Sequence, residues 1–122
     1  YNAGEANSAT QIEIMNEEAK KYNLTVVEQS VSTSSEVKQA AEALVGKVDC
    51  IYIITDNTVV SALESVIQVA TDKKLPLFVG ELDSVKRGGF AAYGFNYYDI
   101  GYEAGKMAVQ ILKDVKSPSE IP

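Results

Sequence analysis

The chain has 122 residues and a mass of 13.2 kDa, enough for one domain, and 46% hydrophobic residues supply a core beside an ordinary 23% of charged ones. Eleven basic against seventeen acidic residues give a net charge of −6 and a pI near 4.6, which excludes the basic footprint that nucleic acid or anionic lipid would need. There is no histidine and a single cysteine, which removes the commonest general base, the commonest metal ligand and any internal disulfide.

Ile12, Met15, Ala19 and Tyr22 recur at helical spacing, with Ser8 and Gln11 reading as a capping box at the start. Leu24 to Glu28, rich in Val and Thr, reads as a strand. Thr33 with Glu36 is a second capping box, opening a helix through Val37, Ala40, Ala41 and Leu44 that Gly46 closes. Cys50 to Ile54 is nearly continuous in apolar residues, the pattern of a parallel strand buried on both faces, and Cys50 reads as a small buried hydrophobe within it. Asp56 and Asn57 cap a helix carrying Val59, Leu63, Val66, Ile67 and Ala70. Leu75 to Val79 is the next strand, with Pro76 tolerable at its start. Gly80 to Gly89 is turn-like with one helical turn, and Phe90 to Phe95 is a short strand. Asn96 and Asp99 open a last helix through Ile100, Ala104, Met107, Ala108, Ile111 and Leu112, and Ser117 to Pro122 is a tail. No run of residues is long and apolar enough to span a membrane, and no signal-peptide pattern opens the chain.

This order predicts an α/β fold: three-layer αβα with a parallel sheet and right-handed crossovers, of flavodoxin- or Rossmann-like type. Tyr1-Asn2 reads as the last residues of a strand, and the Glu120-Ile121-Pro122 end is abrupt, so the sequence reads as a fragment of a larger fold.

Open α/β sheets bind ligands outside the carboxyl ends of their strands. Three polar loops fall there: Gly4–Ser8, Thr55–Thr58 and Gly80–Ser84. Helix N-termini suit a carboxylate. Asp56, Glu81 and Asp83 can accept from an ammonium group, and Asn7, Ser8, Thr55 and Asn57 can donate and accept. Helix capping accounts for Ser8, Asp56 and Asn57 as well as ligand contact does. Glu5, Glu81 and Asp83 are less expected, since loop polarity does not call for acids there. The expected ligand-binding set is therefore Glu5, Asn7, Ser8, Thr55, Asp56, Asn57, Glu81 and Asp83, with no catalytic residue, no metal ligand and no cofactor. Tyr93, Tyr97, Tyr98 and Tyr102 read as packing residues near the last helix. Asn23-Leu24-Thr25 matches a glycosylation acceptor, a pattern too short to carry weight. No nucleophile elbow, phosphate loop or dinucleotide fingerprint occurs, and no histidine triad can be assembled.

The stretches YNAGEANSATQIE, TDNTVVSALESV and GGFAAYGFNYYDIGYEAGKMAVQILK, in this order and over nearly the whole chain, resemble the ABC transporter substrate-binding family that includes tryptophan- and tyrosine-type binders. The resemblance implies the type I periplasmic-binding-protein fold, two α/β lobes closing on a ligand over a hinge. It implies residues 1–95 as a ligand-binding lobe, with Ala91–Phe95 a hinge crossing, and residues 96–122 as a return helix and tail that pack on the other lobe. It places Asn7, Ser8, Asp56 and Asn57 at the cleft. Family members often carry Asp, Ser or Thr soon after the third strand, where this chain has Gly80-Glu81, and that departure leaves the ligand's identity open.

The implied function is non-enzymatic: the extracytoplasmic solute-binding component of an ABC importer, binding a small solute such as an aromatic amino acid and delivering it to a membrane permease. The location would be periplasmic, or on the cell surface as a membrane-anchored lipoprotein. Nucleic acid is not an expected partner, and self-association of the fragment is, because a cut sheet and an apolar helix stripe leave surfaces open. An effector-sensing domain of a transcription regulator shares the fold and is the alternative. A nucleotide-dependent enzyme is the third, and NAGEANS is poor in the glycine that a phosphate loop needs.

Overall fold

In the computed structural model, which describes residues 1–121, the first helix, α1, spans Ala6–Lys21 and begins before Ser8. Its N-cap is Glu5, and Ser8 lies inside the first turns, fully buried. The expected Ser8–Gln11 capping box is therefore replaced: Ser8 spends its hydroxyl on a tertiary partner described below. Lys20 and Lys21 sit in the last turn, favourable to the helix dipole.

The strand expected over Leu24–Glu28 carries no ladder. Among the described residues the pairing nearby is an isolated parallel bridge between Asn2 and Val31. A strand is defined by its neighbour, and residues 24–28 have none alongside. The Thr33–Glu36 capping box does form, over a short 3-10 turn at Ser34–Glu36, with the Glu36 carboxylate accepting from Ser32 and Thr33. Helix α2 (Val37–Leu44) follows, and Gly46 just beyond it takes φ +76°, the left-handed conformation expected of a closing glycine.

The sheet has three parallel strands in sequential order: β1 (Ile51–Ile53), β2 (Leu77–Val79) and β3 (Ala91–Ala92). Ile51 pairs with Leu77, Ile53 with Val79, and Val79 with Ala92. All three are shorter than the apolar runs implied. β1 is also not buried on both faces: Ile51 and Ile53 are inside, while Tyr52 is 47% exposed and Cys50 is exposed. The long helix expected after Asp56 breaks at Ala62 into α3 (Asn57–Ser61) and α4 (Leu63–Lys73). The turn-like Gly80–Gly89 segment holds helix α5 (Leu82–Arg87), and Arg87 pairs with Glu64 of α4 at 2.9 Å.

The core lies where α2 and α4 pack on the buried sides of β1 and β2. Leu63, with no exposed surface, belongs to this cluster together with Val37, Ile53, Val66 and Val79. Burying a side chain of this kind is worth about 2–3 kcal/mol. Beyond β3 comes helix α6 (Tyr97–Leu112), capped by the Asn96 side chain on Tyr98 N–H at 2.8 Å. No residue of α6 is buried. A short 3-10 turn at Pro118–Glu120 lies in the expected tail, whose last residue, Pro122, lies outside the described residues.

Candidate ligand-binding face

The parallel sheet sends three chain segments to one edge. β1 delivers Thr55–Asp56, β2 delivers Gly80–Glu81, and Tyr1–Asn2 delivers the Gly4–Glu5 turn that opens α1. Asp56 ties two of these together. It is 1% exposed, and its carboxylate accepts three hydrogen bonds: Asn2 N–H at 2.6 Å, the Ser8 hydroxyl at 2.7 Å, and Val59 N–H at 2.9 Å as the cap of α3. Burial pushes this carboxyl upward, but the two backbone N–H groups and the Ser8 hydroxyl outweigh it and hold the group below the usual carboxylate range. Nearly all of its acceptor capacity is thus met inside the protein.

Glu81 is similar. It is 4% exposed, caps α5, and accepts from Asp83 N–H at 2.7 Å and from the N–H and hydroxyl of Ser84. Asp83 lies on the exposed side of that turn and pairs with Lys86 at 2.7 Å. Glu5 reaches across from α1 to the start of α3. Its oxygens accept from the Thr58 hydroxyl at 2.8 Å, Thr58 N–H at 3.2 Å, the Asn57 side chain at 3.0 Å and Asn57 N–H at 3.3 Å. The Thr58 hydroxyl first, with the Asn57 and Thr58 donors, depresses its pKa. In effect Glu5 supplies the N-terminus of α3 with an anion from another segment.

Asn7 donates from its side chain to the Thr55 carbonyl at 3.0 Å. Gln11, one turn further along the same helix face, brackets the Thr55 peptide, donating to its carbonyl and accepting from its N–H, both at 3.4 Å. The amide oxygens of Asn7 and Asn57 and the hydroxyl of Thr55 have no partner among the described residues. Thr55, in turn, packs against Gly80, where an added Cβ would sit 3.1 Å from its N and its hydroxyl. Gly94 continues the layer: a Cβ there would collide with the Gly80 carbonyl oxygen, so only glycine lets the β3 exit lie so close. Phe95 and Tyr97 follow at once, edge to face at 5.2 Å and partly exposed.

The structure therefore brings Glu5, Asn7, Ser8, Thr55, Asp56 and Asn57 into one connected cluster. Glu81 adjoins it through Gly80, and Asp83 lies outward. Sequence reasoning missed Asn2, Gln11 and Thr58, which hold the cluster together, and Gly94, which closes the layer. Gln11 alone carried a signal, four residues after Asn7 on one helix face. Among the described residues no group of acids or cysteine has the arrangement of a metal site.

The family model described as ABC transporter substrate binding protein matches residues 1–122. A protein named tyrosine-binding protein from Clostridioides difficile (strain R20291) is 44% identical over the whole chain, which spans 35% of that relative's length. Two solved structures share the fold. One, a conserved domain protein from Vibrio cholerae, is 38% identical with a TM-score of 0.86. The other, an ABC domain in complex with L-Trp from Streptococcus pneumonia, is 34% identical with a TM-score of 0.85. This chain covers 38% of each, and 93% of the chain is matched in both cases.

Proposed function

The chain belongs to the family of ABC transporter substrate-binding proteins, and on that premise we propose that it forms one wall of a cleft that binds a small amino acid non-covalently, an aromatic one by preference. The observation that carries this reading is the convergence of three strand-end loops on one exposed layer. In it, Asn7, Thr55 and Asn57 keep free polar atoms while the acids behind them are already satisfied. Asn7, Thr55 and Asn57 are the direct contacts; Ser8, Asp56 and Glu81 hold the loops in register, and Glu5 and Asp83 stand at the rim. The tyrosine named for one relative and the L-Trp of a structural neighbour support an aromatic side chain, and Phe95 and Tyr97 offer it apolar surface next to the polar layer.

The role extends to an importer: a second lobe would complete the cleft, and a membrane permease would accept the solute outside the cytoplasm. Catalysis plays no part, since binding uses only hydrogen bonds and apolar contact. One wall alone leaves a ligand largely in water, so this chain should bind L-Trp with a Kd in about the millimolar range or weaker. Backbone amide NMR of the labelled chain, titrated with L-Trp, tests it. Shifts should concentrate at Asn7, Thr55, Asn57 and Gly80. A micromolar Kd would overturn the two-wall reading, and shifts centred on α4 would overturn the site.

A further inference from the structure

Gly80 and Gly94 stand just past the ends of β2 and β3, and neither lies in the left-handed region of φ. The missing side chain at each therefore serves space and not conformation. A Cβ on Gly80 would sit 3.1 Å from the Thr55 N and hydroxyl. A Cβ on Gly94 would collide with the Gly80 carbonyl oxygen, and would lie 3.1 Å from the carbon of that carbonyl and 3.3 Å from the Glu81 Cα. These obstacles are backbone atoms, which cannot swing aside as the end of a long side chain can. The last ladder pair of β3 is Ala92 with Val79, and past it the chain leaves the sheet, with Tyr93 fully exposed. Two residues on, it is nevertheless pressed against the Gly80–Glu81 backbone. Phe95 follows directly and meets Tyr97 edge to face.

We propose that Gly94 is a positioning residue that determines specificity: by letting the β3 exit lie against Gly80, it holds Phe95 and Tyr97 beside the polar layer of Asn7, Thr55 and Asn57, and so sets the preference for an aromatic solute. The inference rests on the binding reading given above, in which Gly94 touches no solute and acts through the two rings. The stack is continuous: Thr55 bears on Gly80, the Gly80 carbonyl bears on Gly94, and Phe95 is next in the chain. Of the two sides in contact at Gly94, the β3 exit is the one that yields. Gly80 is backed by Thr55, and Glu81 beside it is buried and bonded to Asp83 and Ser84 as the cap of α5, whereas Gly94 is exposed. With a Cβ at Gly94 this exit must back away by about 1 Å to regain ordinary contact distance, and the rings go with it. A gap of that size forfeits roughly a quarter to a half of the dispersion attraction between a ring and its neighbour. Asn7 and Thr55 stay where their mutual hydrogen bond holds them, so a solute that uses the polar layer alone loses little.

The test titrates four forms of the labelled chain with L-Trp and with L-Leu, following the amide shifts of Asn7, Thr55 and Asn57. They are the wild type, Gly94→Ala, Phe95→Ala with Tyr97→Ala, and all three substitutions together. Gly94→Ala should weaken L-Trp binding by about fivefold and L-Leu binding by less than about twofold, and loss of the two rings should do the same. The triple variant should lose no more than either, because one effect runs through the other. Equal weakening of both solutes by Gly94→Ala would mark a merely structural residue and overturn the inference. So would an additive loss in the triple variant, or loss of the folded spectrum in Gly94→Ala. An intact aromatic preference after removal of Phe95 and Tyr97, whose rings lie partly exposed, decides against it independently. A wild type without L-Trp shifts at the polar layer would overturn the binding reading and this inference with it. Wild-type shifts in place, with selectivity unchanged in Gly94→Ala, would overturn this inference alone.

Discussion

Asp56 shows how a polar side chain at the strand ends of the sheet serves the fold. Replacing it with Ala leaves Asn2 N–H, the Ser8 hydroxyl and Val59 N–H without their acceptor, in a spot with 1% exposure. We expect Asp56→Ala to lower the unfolding free energy of the ligand-free chain by about 3 kcal/mol. Asp72→Ala, at the exposed end of α4, should stay within about 0.5 kcal/mol. Urea denaturation of both variants reads the difference; equal stabilities would mean that water replaces the lost carboxylate. The pH dependence follows from the same bonds. Asp56 and Glu5 are held below their ordinary values in the folded chain, so each contributes stability that is complete above its unfolded pKa, about 3.9 and 4.3. That contribution is lost as pH falls through the lower folded values. The urea midpoint should therefore drop between about pH 5 and pH 3, and the drop should be shallower in Asp56→Asn.

At the scale of elements, α4 and α6 make opposite cases. Both show helical periodicity, but α4 buries Leu63, Val66, Val69 and Ala70, whereas α6 buries nothing. Leu63→Ala should cost about 3 kcal/mol, the transfer term plus the cavity it leaves, while Leu112→Ala should be nearly neutral. Thermal unfolding of the two variants checks this, and comparable losses would show that α6 packs on the sheet in solution. The sequence pattern made the two helices look alike because periodicity records which face is apolar and not whether anything covers it. The break at Ala62 had no breaker residue to announce it, and α5 read only as a single helical turn because six residues give too little periodicity to fix its extent.

For the molecule as a whole, α6 sets the solution behaviour. Ile100, Val109 and Leu112 are well exposed, and Met107 is 39% exposed rather than buried against its own sheet. Apolar surface of this kind on a soluble domain drives association. Light scattering should show the chain's mean mass rising with concentration, and Met107→Lys with Ile111→Lys should restore a monomer. A wild-type monomer at every concentration would count against this. We propose that residue 95 divides a ligand-binding lobe from a return helix, α6, that packs on the second lobe.

The residues alone determined the α/β class, the parallel sheet and the three polar loops at its strand ends. Strand and helix periods, caps such as Asp56 and Asn96, and the rule that ligands meet strand carboxyl ends are local or topological, and a sequence carries them directly. Tertiary structure decided what each polar residue does there. Asp56 and Glu81 are consumed by backbone N–H groups, Ser8 turns inward to Asp56, and Glu5 caps a helix more than fifty residues away, through bonds whose partners are set by how loops meet in space. It also decided that Leu24–Glu28 forms no strand and that Cys50 is exposed. A strand needs a paired neighbour, and a pairing surface belongs to two segments at once, so neither segment's sequence reveals whether the other is beside it.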